Sequence, residues 1–404
     1  MNNRLPETQL EDAEKRGWYL RDAVNADVTT AGTVRRRQGY SQVFNGSDCH
    51  SFWGRDHDAF YVDYDTLWHV TGTYDAPVKT MVRNDLSPGL PMGFNEINGE
   101  VLFSNGVTFG RMNRDGTFHD HGVPVPSSAP TLTELTGGSL PAGIYQVAVT
   151  NVTAEGEESG STQPVSITVL GGALISIADL PTPPDYGKIR IYMTTCNGDV
   201  FFKVTEQFVN ATLAVQLVPD GGARCMTMFK SRMPAGRILR WHNGRLLVAS
   251  GNTLFYSEPY NLGLYDPLRN YVQFAEDITV VEPCQNGTYL CSEQTYWLSG
   301  DAESFEVQPV LPYGGTFGTG GSMSDRNMVY WYSPRGLVVA DANGSAKNMQ
   351  EDSVVTVSAS AGAAMFREQD GLKQLVASLL NPGKSVAAAS SFMDAEVIRK
   401  ETIL

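Results

Sequence analysis

The chain repeats itself about every 42 residues, and this period constrains its architecture more than any other feature. Five segments open on a polar turn and continue as two short apolar runs around a small or polar tip. They are HDAFYVDYDTLWHV from His57, NGEVLFSNGVTFGRM from Asn98, NGRLLVASGNTLFYS from Asn243, NGTYLCSEQTYWLSG from Asn286 and NMVYWYSPRGLVVAD from Asn327. DGLKQLVASLL, from Asp370, is a weaker sixth copy. Each reads as a hairpin. Regular neighbours start 41, 43, 41 and 43 residues apart. A β unit of that length cannot bury both of its faces alone, and the period is that of a β-propeller blade with about four strands. Six copies predict an all-β propeller of about six blades. The Trp-Asp dipeptides and paired glycines of the common regulatory propellers are missing.

One interval breaks the period. Asn98 and Asn243 are 145 residues apart, and removing one period leaves roughly 103 residues, the size of an immunoglobulin-like domain. The excess begins after a Pro/Ser/Thr-rich hinge near 122–138. Ile144, Gln146, Ala148 and Thr150 then alternate with Tyr145, Val147 and Val149, as in a half-buried strand. Ala154–Ser159 reads as a polar turn and Ser166–Val169 as a strand, and Lys188–Glu206 forms a hairpin about Asn197-Gly198. Tyr186 and Tyr192 are candidate core aromatics. The prediction is a seven-strand sandwich of immunoglobulin or fibronectin III type, inserted between blades where chain ends meet again in space. It divides the chain into residues 1–123 (arm and first blades), 124–226 (sandwich) and 227–404 (remaining blades and closure). Glu7–Leu20 is expected to open with a short helix. Asp22–Val43 should form a hairpin around Thr29–Gly32 that pairs with late strands such as Val354–Ser358 and closes the ring. The tail from Ala387 is left as strand or helix.

Composition narrows the function classes. With 30 Lys and Arg against 44 Asp and Glu the net charge is −14, which disfavours a duplex-DNA clamp built on cationic contacts. A hydrophobic content of 42% excludes general disorder. No apolar run approaches the ~20 residues of a membrane helix, and the first residues lack the apolar centre of a signal peptide. Cys49, Cys196, Cys225, Cys284 and Cys291 are scattered with no CxxC pair, which argues against a disulfide framework or zinc site. The expectation is a soluble protein made in a reducing cytoplasm.

Few residues suggest chemistry. His119 and His121 share one face of a strand near Asp115 and form a possible metal pair, although the turn Asn113–Gly116 favours a solvated edge. Asp56-His57-Asp58 and Asp63-Tyr64-Asp65 resemble calcium-binding loops, but read better as polar turns. Pro312–Gly321 is glycine-rich yet lacks the GK[ST] ending of a phosphate loop, leaving a mobile tip or a blade-to-blade crossover. Arg35-Arg36-Arg37 is the one dense basic run. It suits a protein contact, a solvated face or phosphate. There is no GxSxG or HExxH, and no carboxylate pair stands out for glycoside chemistry. No catalytic residue, metal or cofactor is expected. The Asn-x-Ser/Thr sequons at Asn45, Asn151, Asn210, Asn286 and Asn343 read as turns.

Two stretches carry a family likeness. LRDAVNADVTTAGTVRRRQGY (Leu20–Tyr40) has a strand, a turn and then an arginine run. GRILRWHNGRLLVASGNTLFYSEPYNLGLYDPLRNYVQFAEDITVV (Gly236–Val281) has a hairpin, then Ser-Glu-Pro, then an aromatic-rich return. Over roughly residues 15–60 and 236–345 the chain resembles tail nozzle (tubular, tail-stabilisation) proteins of short-tailed bacteriophages. It departs from them in its inserted sandwich and lesser length. The resemblance implies a non-enzymatic virion component, assembled in the host cytoplasm without membrane insertion. It implies a homohexameric ring around the DNA channel, between a head-to-tail adaptor and a fibre or needle, which retains the genome and then releases it. DNA would pass without specific binding, and six subunits would carry about −84, repelling phosphate. On this reading Tyr313, Gly314, Gly315, Phe317 and Gly318 are candidate gate-loop residues, and Arg35, Arg36 and Arg37 are candidate interface residues. The alternative is a carbohydrate- or receptor-binding propeller, using the six Trp and 17 Tyr as stacking surfaces. A propeller glycosidase would instead need acids clustered on the axis.

Overall fold

The computed structural model describes residues 42–380 apart from 56–57, 74, 183–186, 209–210, 218–220, 324–326, 353, 355, 357–358 and 370–371, together with 11–12, 17–18, 26–28 and 33–36. Of the residues singled out above, the turn Thr29–Gly32, Arg37, Asp56, His57, Tyr186, Asn210, Asp370 and the tail from Ala387 lie outside the described residues.

Among the described residues five four-stranded antiparallel sheets follow one another, each a meander. The first is Cys49–Gly54, Ala59–Asp63, Thr66–Thr73 and Ala76–Arg83, and the second is Gly93–Ile97, Glu100–Ser104, Phe109–Met112 and Phe118–Asp120. The third is Ile238–His242, Arg245–Ser250, Thr253–Tyr256 and Tyr271–Gln273. The fourth is Val280–Cys284, Gly287–Cys291, Thr295–Ser299 and Glu306–Leu311, and the fifth is Gly321–Ser322, Met328–Ser333, Gly336–Asp341 and Ala346–Asn348. The sequence repeat is the second and third strand of every sheet. Of its three Asn-Gly starts, Gly287 already lies in its strand, whereas the other two are two-residue turns with both residues at positive φ: Asn98-Gly99 joins Ile97 to Glu100, and Asn243-Gly244 joins His242 to Arg245. That is the primed turn whose twist suits a hairpin. The sixth copy supplies the second strand of a hairpin, Ala361–Gln369 with Leu372–Leu380. Among the described residues this sixth unit has two strands, against the four expected of a blade.

The sheets stack face to face, and a separate apolar cluster fills each gap. Phe60, Leu67, Phe94 and Phe103 lie between the first and second sheets. Leu102, Phe109, Leu239 and Val248 lie between the second and third. Leu247, Leu254, Leu290 and Leu298 join the third to the fourth. Tyr289, Trp297, Trp331 and Val338 join the fourth to the fifth. Tyr330, Leu337 and Val339 pack against Leu375 of the final hairpin. A second strand so placed is covered on both faces, which explains why Glu100–Ser104, Gly287–Cys291 and Met328–Ser333 read as continuous apolar runs rather than alternating ones. This is the packing of propeller blades. Polar latches repeat with the same period. Asn243 Nδ2 donates to Asp301 Oδ1 at 3.0 Å, and Asn286 Nδ2 donates to Asn343 Oδ1 at 3.0 Å, each from the first turn of one sheet to a late loop of the next.

Among the described residues the insertion between the second and third sheets holds seven strands in two sheets. Thr131–Leu140, Ala173–Ala178 and Leu213–Val215 make one; Val165–Val169, Gly143–Val152, Lys188–Thr194 and Phe201–Gln207 make the other. They enclose one core that includes Tyr145, Val147, Val149, Ile175, Ile177, Ile189 and Ile191. Tyr192 lies on the opposite face, in a smaller cluster with Ala148 and Phe201 beside Cys225 and Met228. Ala148 and Thr150 are therefore buried too, which corrects the half-buried strand expected there.

The ends differ more. Glu11–Asp12 pairs antiparallel with Gly17–Trp18 where a helix start was expected; Gly17 is a poor helix former, costing about 1 kcal/mol. Ala26–Val28 pairs with Val34–Arg36 as the expected hairpin. Among the described residues that hairpin pairs with no further strand, and Val354 and Thr356 lie in no strand: Val354 N–H donates to Gln350 O at 3.0 Å. No helix among them is long and apolar enough to cross a membrane.

Candidate functional site

The glycine-rich run 312–321 is the crossover from the fourth to the fifth sheet, the second of the two alternatives left open above. Its glycines mark close approach. A Cβ on Gly314 would sit 2.0 Å from Ser292 O, and one on Gly315 2.9 Å from the Trp331 ring. Gly318 has φ +82°, and a Cβ there would meet Gly362 O at 2.3 Å. Hydrogen bonds pin the segment: Thr316 N–H to Tyr332 O at 2.7 Å, Thr295 Oγ1 to Tyr313 O at 2.8 Å and Gly362 N–H to Phe317 O at 2.8 Å. Arg237 lies 4.2 Å from the Phe317 ring centroid and Arg335 4.7 Å from that of Tyr313. The sequence thus brings Tyr313, Gly314, Gly315, Phe317 and Gly318 into one packed seam. A gate here would move as part of the seam, because each glycine is held by a neighbour. Beside it, Arg240 of the third sheet donates through Nη2 to Glu282 of the fourth at 2.5 Å. Glu282 is 3% exposed. Arg35 and Arg36 belong to the amino-terminal hairpin and Arg36 is exposed.

The polar pairs separate. His119 is exposed whereas His121 is buried, so the two histidines do not converge. Among the described residues no group of three His, Cys, Asp or Glu is placed to hold a metal. Asp58 is a clamp: it accepts from Arg55 Nη2 at 3.0 Å and faces His69 Nε2 at 2.8 Å, while Arg55 Nη1 reaches Glu96 of the second sheet at 2.9 Å. Asp63 caps the incoming chain by accepting the Ser47 and Asp48 N–H groups at 2.9 and 3.1 Å.

Sequence reasoning missed a cleft of about 480 Å³ where the insertion meets the second and third sheets. Ile97, Leu102, Arg111, His121, Glu157 and Tyr260 line it. Arg111, on the third strand of the second sheet, donates through Nη1 to Glu157 Oε1 at 2.6 Å, tying blade to insertion. His121 stacks on Phe109 at 4.2 Å between centroids, and its Nε2 lies 2.8 Å from Leu262 O. Burial pushes its pKa down to about 4, against the raising effect of the Leu262 carbonyl. His121 Nδ1 is buried without a hydrogen-bond partner. Tyr260 stands 88% exposed at φ +55° on a loop held by its N–H to Gly244 O at 2.8 Å. The broken period at 98–243 was the available signal, since an insertion must create a junction where it leaves and re-enters.

No family model matches the chain, and no curated protein does. Similar solved structures include the WD40 domain of Neurospora crassa Pan2, 11% identical, with TM-score 0.35, covering 82% of this chain and 86% of that one. YCF48 bound to D1 peptide is 11% identical, with TM-score 0.32, over 83% and 93% of the respective chains. The computationally designed Ika8 protein is 10% identical, with TM-score 0.29, over 83% and 94%. Overlap this loose adds no argument, and the description as stacked propeller-type blades rests on the sheet order and the inter-sheet cores.

Proposed function

We propose that the chain is a structural subunit of a short-tailed phage tail, a nozzle in which six copies ring the DNA channel between an adaptor and a fibre or needle. One observation carries this reading. One of the two stretches that resemble nozzle proteins, Gly236–Val281, contains all four strands of a complete structural unit, the third sheet. Its Ser-Glu-Pro element is the latch of that unit. Ser257 is fully buried and its Oγ accepts the Leu246 N–H at 2.9 Å. Glu258 Oε1 accepts from Lys230 at 2.9 Å and from Asn270 Nδ2 at 2.8 Å. The net charge of −14 supports a conduit that does not hold phosphate. The work is mechanical, not enzymatic, and the packed seam at 313–318 holds the candidate gate residues Tyr313, Gly314, Gly315, Phe317 and Gly318. On the same reading the final hairpin is the core of a sixth blade that closes the ring. On the same reading the insertion is a sandwich of fibronectin III type, supported by seven strands that divide three and four over one core.

Negative-stain images of the purified protein at high concentration, with a duplex-DNA retention assay, test the proposal. The expected result is sixfold rings with an open centre and no retention of DNA. Single propellers at every concentration, or tight DNA binding, overturn it.

A further inference from the structure

We infer that the cleft between the insertion and the second and third sheets binds a saccharide unit, with Tyr260 as the stacking platform and Glu157 and Arg111 as hydroxyl partners. The chemistry of the lining selects this class. The cleft pairs apolar Ile97 and Leu102 with Arg111, Glu157 and His121, and its volume of about 480 Å³ lies in the range of small-molecule sites. An anionic ligand would face Glu100, Glu157 and Glu158, and a cationic one would face Arg111. A neutral hydroxyl suits both, because it accepts from a guanidinium and donates to a carboxylate.

His121 is the independent pointer. Its Nε2–H donates to the Leu262 carbonyl, so Nδ1 carries the lone pair and needs a donor. Nδ1 has no partner, and the ring is 2% exposed. Arg111 Nε is likewise buried without a hydrogen bond; the nearest carboxylate oxygen, on Glu100, is 3.9 Å away. A buried donor and a buried acceptor in one lining are complementary to the two roles of a hydroxyl. Tyr260 adds the flat apolar surface that covers the C–H face of a sugar ring. Its left-handed backbone costs free energy that burial of its own ring does not return, since it is 88% exposed. The inference does not depend on the ring assembly and stands for a monomer as for a hexamer.

The test is saturation-transfer NMR and titration calorimetry on the full chain with methyl glycosides of glucose, galactose, mannose and N-acetylglucosamine. At least one glycoside is expected to bind saturably. Tyr260→Ala should weaken it about tenfold and Glu157→Gln severalfold, while Phe52→Ala, an exposed aromatic on the first sheet, leaves it unchanged. Tyr260 is exposed, so an unaltered melting temperature of Tyr260→Ala separates lost binding from lost fold, while Glu157→Gln, which also loosens Arg111, is read for affinity beside its own melting temperature. No saturable binding by any glycoside, binding that survives both cleft substitutions, or equal weakening by Phe52→Ala overturns the inference.

Discussion

At the scale of residues, two groups state what the fold demands. His121 is held neutral, with a pKa near 4, because burial removes water from its ring. Its folded pKa lies below the value near 6.5 of an unfolded chain, so the unfolded state takes up a proton that the folded state refuses. Stability is unaffected above about pH 6.5, falls as pH drops through that value, and levels off below about 4, for a total on the order of 3 kcal/mol. His50 is also lowered by burial and acts in the same sense. Urea melts of His121→Gln between pH 7 and 4 should therefore keep a smaller slope than the parent; an equal slope would contradict the burial argument. Gly318 gives the second prediction. At a mobile tip, Gly→Ala stabilises by roughly 0.4–1 kcal/mol through the unfolded chain. In the packed seam, with φ +82° and Gly362 O in the way, Gly318→Ala should instead cost about 1–3 kcal/mol in thermal or urea unfolding.

At the scale of elements, stability depends on what joins one sheet to the next. Arg240 and Glu282 tie the third and fourth sheets, and Glu282 has almost no water around it. Arg240→Met should cost about 3–5 kcal/mol by stranding that carboxylate, and adding Glu282→Leu should recover most of the loss. A denaturation cycle on the single and double variants measures both. The elements were also what the sequence disclosed best. Asn98-Gly99 and Asn243-Gly244 announce primed turns, and the doubly buried second strands announce stacked sheets, because turn geometry and periodic apolarity are local. The seven strands of the insertion followed from length and alternation. The Glu11–Trp18 pairing did not, since it is a two-pair ladder with little propensity behind it. The cleft was illegible for a different reason. Arg111 meets Glu157 across 46 residues and His121 meets Leu262 across 141, and nothing local announces either meeting.

At the scale of the whole molecule, the described residues build five sheets and a hairpin into one continuous stack, with the insertion between the second and third sheets. The stack is acidic, and the proposed ring uses that charge to pass DNA rather than grip it. The ring is the central claim, and the most direct test is the solution mass by light scattering, alone and with head-to-tail adaptor protein. A mass near six times 44.0 kDa, alone or on the adaptor, is the predicted result. A mass of 44.0 kDa at all concentrations that the adaptor leaves unchanged would contradict it.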